Sequence, residues 1–161
     1  MRKRVYIETT IPSFYHTLRT DTESIARKNW TREWWERWAG TFELLSSDAV
    51  IAELGRGVCE KTLERIALLK DIEMLEIVEE VEEAAAIYID KLVMPNDPTG
   101  DALHLALASF YRVDVLLTWN CQHLANPNKM EHIRLVNYKL GLPMPLLMTP
   151  LNYLIGGEFD A

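Results

Sequence analysis

Cysteine is scarce in this sequence, and acidic residues outnumber basic ones. The 161 residues include only Cys59 and Cys121, far apart and without a CxxC pair. Neither a disulfide framework nor a thiolate zinc site is therefore indicated. The 24 acidic and 17 basic residues give a formal net charge of −7. This balance argues against a broad basic surface that would bind nucleic acid non-specifically.

Long apolar runs are also missing. No apolar run approaches about 18 residues, the length that a membrane-spanning helix requires. The N-terminal Met-Arg-Lys-Arg leads into a short strand-like segment instead of the core of a signal peptide. These features predict a cytoplasmic protein with no membrane contact. Hydrophobic residues make up 48% of the chain, which suits one globular domain over residues 1–161 with a substantial core.

Short β-prone runs alternate with helical patterns along the chain. The predicted strands are residues 5–7, 41–45, 74–78, 115–117 and 145–150, and the predicted helices are residues 13–40, 49–55, 63–70, 79–92, 102–110 and 126–140. This alternation predicts an α/β fold with a mostly parallel central sheet of about four to five strands flanked by helices. Two prolines flank the last strand and favour an edge position for it.

Four polar side chains come from four separate predicted elements. Glu8 ends the first strand, Glu53 lies in the helix after the second strand, Asp101 opens an apolar helix, and Asn120 follows the buried strand 115–117. Ligands bind at the carboxyl edge of open α/β sheets. An all-oxygen set of ligands suits Mg²⁺ or Mn²⁺. Each of the three acids, taken alone, could also be a solvated surface residue. For Glu53 this interpretation is as well supported as a role in a binding site.

Tryptophans form a stripe in the predicted helix 13–40. Trp30, Trp34 and Trp38 fall at i, i+4 and i+8, with Trp35 beside them. An aromatic stripe at this spacing favours packing into the core or against a partner subunit. A platform that stacks nucleic-acid bases is the less favoured interpretation.

Four short motifs in order resemble the PIN-domain family, in particular the VapC-like toxins of bacterial and archaeal toxin–antitoxin pairs. They are VYIETTIPS (5–13), SSDAVIAEL (46–54), GDALHLALA (100–108) and LLTWNCQHLAN (116–126). The resemblance covers most of residues 4–127. It implies a PIN-like fold and Mg²⁺- or Mn²⁺-dependent hydrolysis of RNA by a metal-activated water. It also implies a homodimer and a cognate antitoxin protein.

By that resemblance the metal ligands are Glu8, Glu53 and Asp101, and Asn120 completes the catalytic set. Glu8 stands where the family more often has aspartate. Asn120 stands where an acid is common, so it keeps an oxygen ligand but removes a negative charge. That loss should weaken a second metal ion.

Three further residues are expected to support the acids. Thr9 and Thr118 occupy positions where small hydroxyl residues accompany the acids and can orient them. His104 lies three residues after Asp101, on the same helix face. A lone histidine on an apolar helix is more often a core residue with its hydrogen bonds satisfied.

Two alternatives of different class stay open. One is a catalytically silent PIN-like module that binds RNA or a protein partner, which Glu8, Asn120 and the net charge of −7 favour. The other is a metal-dependent hydrolase of a small phosphoester. The sequence contains no element that resembles a base-reading motif, so it does not identify an RNA target.

Overall fold

The computed structural model describes residues 2–57 and 60–160, with side chains up to residue 155; Cys59 lies outside this range. The strands are β1 (Arg4–Ile7), β2 (Glu43–Ser47), β3 (Glu73–Leu75), β4 (Val115–Leu117) and β5 (Leu146–Met148). The helices are α1 (Thr10–Tyr15), α2 (Thr22–Arg37), α3 (Asp48–Arg56), α4 (Thr62–Ala67), α5 (Glu79–Asp90), α6 (Asp101–Phe110), α7 (Pro127–Leu140) and α8 (Pro150–Asp160), with a 3₁₀ turn at Ala39–Thr41. Within the described ranges no helix is both long and apolar enough to cross a membrane.

The five strands form one sheet in the order β3-β2-β1-β4-β5, and every pairing is parallel. This confirms the predicted α/β fold and the edge position of the last strand. Residues 5–7 and 115–117 are buried throughout, because helices cover both faces of the sheet at its centre.

The order of the strands reverses at the central strand, β1. From β1 the chain proceeds to β2 and β3, and then β4 pairs with β1 from the opposite side. The carboxyl ends of β1 and β4 are therefore neighbours at the point where the strand order reverses. This is the point where open α/β sheets bind ligands, and Glu8 and Thr118 follow these two strands.

Several predicted boundaries were wrong. The helix expected over residues 13–40 is two helices, α1 and α2, and the first begins before Pro12, which lies in its first turn where proline is tolerated. The second strand starts two residues later than expected, at Glu43. Helix α8 was not predicted, because Pro150 was interpreted as the end of a strand although it also suits the first position of a helix.

The tryptophan stripe packs inside the protein. Trp34 is fully buried, and its ring stacks on that of Phe42 with centroids 6.0 Å apart and contacts Tyr153 at the same distance. Trp38 also contacts Phe42 and Tyr153. The stripe thus joins α2 to α8 and to the start of β2, in agreement with the core-packing interpretation.

Candidate active site

The carboxylate of Glu8 is held by hydroxyl and amide groups from both neighbouring chain segments. Its Oε1 accepts hydrogen bonds from the backbone N–H of Thr10 (3.0 Å), the Thr10 hydroxyl (2.5 Å) and the Thr118 hydroxyl (2.7 Å). The side chain is only 2% exposed. Burial raises the pKa of Glu8, against the opposing effects of the His104 charge and these hydrogen bonds, and leaves it above the usual value.

The same two threonines join the ends of β1 and β4. The backbone N–H of Trp119 donates to the Thr10 hydroxyl (2.7 Å), and that of Asn120 donates to the Thr118 hydroxyl (2.9 Å). Each hydroxyl therefore accepts from the chain leaving β4 and donates to Glu8. This arrangement fixes one oxygen of Glu8, while its Oε2 has no hydrogen-bond partner among the described residues.

A second buried network surrounds His104 on α6. Its Nε2 donates to Oε1 of Glu53, and its Nδ1 is hydrogen-bonded with the hydroxyl of Tyr6 (2.8 Å). The Tyr6 hydroxyl is in turn hydrogen-bonded with that of Ser47 (2.8 Å). His104 and Tyr6 are fully buried, so this chain of contacts connects the interior of β1 and β2 with the carboxylate of Glu53 on α3.

Three carboxylates act on the His104 ring. Burial alone would lower its pKa, but the hydrogen bond to Glu53 and the charges of Glu8, Glu53 and Asp101 raise it above the usual value. The three acids therefore lie within electrostatic range of one imidazole. Their mutual repulsion is offset in part by the charge that this ring carries when protonated.

Asp101 is the first residue of α6, where the helix dipole favours a carboxylate. It is half-buried, and within the described residues its carboxylate makes no hydrogen bond. Burial lowers the pKa of Lys129 on α7, and the charge of Asp101 opposes that shift. Lys129 and Asp101 are therefore within electrostatic range of each other.

Two of the expected residues, Asn120 and Thr9, make no side-chain hydrogen bond to the acids. The amide Oδ1 of Asn120 accepts from the backbone N–H of His123 (3.0 Å), so it caps the turn after β4. The Thr9 hydroxyl is buried without a hydrogen-bond partner in the described part of the chain. Thr10, its neighbour, makes the contacts with Glu8.

The site supplies suitable donors for a hard cation but does not present them as a finished ligand set. In the described ranges no three His, Cys, Asp or Glu side chains are grouped closely enough to hold a metal ion. Glu8 and Glu53 each have one oxygen engaged and one without a hydrogen bond to the described residues, and both oxygens of Asp101 lack one. Carboxylate oxygens are the donors that Mg²⁺ and Mn²⁺ prefer, so the donor chemistry fits such an ion.

Sequence reasoning missed Thr10, Tyr6, Ser47 and Lys129. Tyr6 could have been found, because side chains two residues apart share one face of a strand and Tyr6 precedes Glu8 by two. The start of a helix at Thr10 would have distinguished this threonine from Thr9. No local signal indicates Lys129, since its relation to Asp101 depends on how α7 packs.

Comparisons with known proteins bear on the family and the fold of this chain. The family model described as PIN domain matches residues 5–120. The fold is similar to that of VapBC2 from Rickettsia felis, solved bound to a DNA fragment from their promoter, with a TM-score of 0.57 and 15% identity over 91% of this chain and 98% of that chain. FitAcB from Neisseria gonorrhoeae gives a TM-score of 0.47 and 12% identity over the same shares. A search of curated proteins finds no match.

Proposed function

The chain belongs to the PIN-domain family, and on that premise we propose that it is a Mg²⁺- or Mn²⁺-dependent endoribonuclease that hydrolyses RNA phosphodiester bonds. One observation carries the proposal: Glu8, Glu53 and Asp101 come from three different elements and all act on the buried ring of His104. Carboxylates within electrostatic range of one another repel, and a bound divalent cation would lower that repulsion further than His104 does.

Glu8, Glu53 and Asp101 would hold the ion through their carboxylate oxygens. When bound, such an ion supplies activation of water as the nucleophile and neutralisation of charge on the scissile phosphate. Asn120 would assist through its amide oxygen or a bound water, in exchange for its present contact with the backbone of His123.

The remaining residues keep the acids in place. Thr10 and Thr118 fix one oxygen of Glu8, and His104 fixes one oxygen of Glu53. The Tyr6 hydroxyl, which is itself bonded to Ser47, is hydrogen-bonded with Nδ1 on the other side of the imidazole. The orientation of Glu53 is therefore set from inside the fold. Lys129 adds a positive charge within electrostatic range of Asp101, which would favour an anionic substrate.

We further propose that the protein is the toxin of a toxin–antitoxin pair, acting in the cytoplasm as a homodimer and blocked by a cognate antitoxin protein. The motif resemblance to VapC-like toxins supports this proposal, and the fold likeness to VapBC2 agrees with it. A small DNA-binding protein encoded next to this chain would support the assignment further.

Replacement of Asp101 by asparagine tests the activity. Asp101→Asn keeps the size of the side chain but removes a ligand charge, so we expect metal-dependent cleavage of RNA to fall at least about a hundredfold. Asp71→Asn is the matched control, because Asp71 is exposed in the turn before β3. Cleavage is measured on RNA, single-stranded DNA and a small chromogenic phosphoester in parallel, with Mg²⁺ or Mn²⁺ and with chelator.

The substrate panel also separates the alternatives. Undiminished RNA cleavage by Asp101→Asn would remove the assignment of the site. Cleavage of the small phosphoester in preference to RNA would identify a different hydrolase. A catalytically silent module would cleave none of the three substrates. The hydrogen bond from the backbone N–H of His123 to Asn120 Oδ1 would then help to explain the lack of activity.

A further inference from the structure

Two arginines and two hydroxyl residues line a small cavity between α1 and α4. The cavity has a volume of about 130 Å³, and its lining consists of Ser13, Phe14, Thr17, Arg19 and Arg65. We refer to these five residues as the arginine pocket. The lining comes from α1, the loop after it, and α4, so the fold brings together side chains that are distant in the sequence.

Two of the polar groups in the arginine pocket have unused donors, whereas the Ser13 hydroxyl already donates to the carbonyl of Thr9 (2.9 Å). The Nε of Arg65 is buried and has no hydrogen-bond partner within the described residues. The Thr17 hydroxyl is buried and accepts from the backbone N–H of Arg19 (3.3 Å), and within the described part of the chain its own proton has no acceptor. Arg19 and Arg65 form no ion pair in that part of the chain. The buried donors of Arg65 and Thr17 favour an acceptor from outside the protein.

Basic side chains outnumber acidic ones around His16 at the end of α1, although the whole chain is acidic. Burial lowers the pKa of His16, and the charges of Arg32, Lys61 and Arg65 lower it further, with Glu64 acting in the opposite direction. Three cations and one anion thus act on one imidazole at the end of α1, and one of these cations, Lys61, forms an ion pair with Glu64 (3.9 Å). In a chain of net charge −7, such a local excess favours an anionic ligand.

The pocket and the candidate active site are built on connected elements. Helix α1 starts at Thr10, which donates to Glu8, and α4 follows α3, which carries Glu53. The ring of Phe14 contacts that of Trp119 edge-on, with centroids 6.3 Å apart. Trp119 directly follows Thr118, the second donor to Glu8.

We propose that the arginine pocket binds one backbone phosphate of the RNA strand, next to the phosphodiester bond that is cut. A cavity of this size admits one tetrahedral phosphate group, and an arginine fork pairs with two of its oxygens. The pocket holds the strand and positions it, whereas the acids carry the chemistry. This inference rests on the proposed ribonuclease function, because the ligand is a segment of that substrate.

The test measures RNA binding separately from cleavage. Fluorescent single-stranded RNA is titrated with Asp101→Asn protein at a fixed Mg²⁺ concentration and a series of KCl concentrations, and the dissociation constant is read from anisotropy. Arg65→Gln and Arg19→Gln are added singly to this background. Arg112→Gln is the matched control, since it removes the same charge from the turn between α6 and β4. This turn lies at the amino-terminal end of β4, whereas Thr118 of the candidate active site follows its carboxyl end.

We expect each pocket substitution to raise the dissociation constant about tenfold. The dependence of log K on log salt should become less steep by about 0.7 for each lost phosphate contact. Arg65→Lys, which keeps the charge but not the fork, should give an intermediate value. Arg112→Gln should change neither quantity beyond the general effect of one charge, and equal melting temperatures check that all variants are folded.

The possible outcomes decide between the two proposals. If the Asp101→Asn parent binds RNA and wild-type protein cleaves it, but the pocket variants bind like Arg112→Gln, the phosphate pocket is wrong and the ribonuclease assignment stands. If RNA binding depends on Arg19 and Arg65 but wild-type protein cleaves nothing, the pocket stands and the assignment fails. Absence of any RNA binding by the parent would overturn the pocket.

Discussion

Two buried clusters, one polar and one aromatic, are held together in different ways. The polar network of Tyr6, Ser47, Glu53 and His104 is joined by directed hydrogen bonds. In the aromatic cluster of Trp34, Trp38, Phe42 and Tyr153, the contacts are between rings with centroids 5.5–6.5 Å apart. The anchors Tyr6, His104 and Trp34 are all fully buried.

The difference lies in how far polar atoms are satisfied. The indole Nε1 atoms of Trp34 and Trp38 are buried with no hydrogen-bond partner among the described residues. The aromatic cluster accepts this cost because burial of large rings stabilises the fold strongly. In the polar network both nitrogens of His104 are bonded. We conclude that the aromatic cluster serves stability, while the polar network fixes the position of Glu53.

The largest expected effect on stability is in the aromatic cluster. Trp34→Ala should reduce the free energy of unfolding by about 3–5 kcal/mol, because it removes a fully buried ring and leaves a cavity between α2 and α8. Urea denaturation measures the loss. Trp35→Ala is the matched control, since Trp35 is only partly buried and should cost less. Equal costs for the two variants would contradict the central place given to Trp34.

A smaller effect is expected when the polar network loses its middle hydroxyl. Tyr6→Phe should reduce the free energy of unfolding by about 1–3 kcal/mol, because Ser47 and Nδ1 of His104 lose their common partner. Unlike Trp34→Ala, it should also weaken Mn²⁺ binding by the folded protein, since Glu53 is then less firmly oriented. Tyr138→Phe, at a tyrosine that is 80% exposed, should change neither quantity. Unchanged Mn²⁺ affinity in Tyr6→Phe would remove the positioning role of the network.

The smallest expected effect concerns pH and Glu8. Because burial holds the pKa of Glu8 above the usual value for a glutamate, the folded state retains a proton that the unfolded chain has already lost. Ionisation of Glu8 therefore destabilises the fold progressively as pH rises above about 4.5. In chelator, Glu8→Gln should gain stability relative to wild type with rising pH, measured by urea denaturation at a series of pH values. A difference that stays constant with pH would show that Glu8 is not perturbed.

Local patterns predicted one of these clusters and not the other. The i, i+4, i+8 spacing of the tryptophans is sufficient to indicate a packed face of α2, and the apolar runs 5–7 and 115–117 are sufficient to indicate central strands. Glu8 and Asp101 stand out because each directly adjoins such an apolar element. These predictions needed only neighbouring residues.

The polar network depends on contacts between distant parts of the chain. Tyr6 and His104 are 98 positions apart, and Glu53 meets His104 only because α3 and α6 converge. The choice of Thr10 over Thr9 depends on where α1 starts. The arginine pocket needs α4 to pack against the end of α1. No periodic pattern in the sequence specifies these tertiary contacts, so they could not be predicted from the sequence.

The most direct test of the central claim is isothermal titration of the protein with Mn²⁺. Glu8, Glu53 and Asp101 are proposed to hold one divalent ion beside His104. Wild-type protein should therefore show a binding site that is lost in Glu53→Gln and in Asp101→Asn. It should persist in Glu83→Gln, which removes an exposed acid on α5. Binding of Mn²⁺ to Glu53→Gln and Asp101→Asn with wild-type affinity would contradict the account.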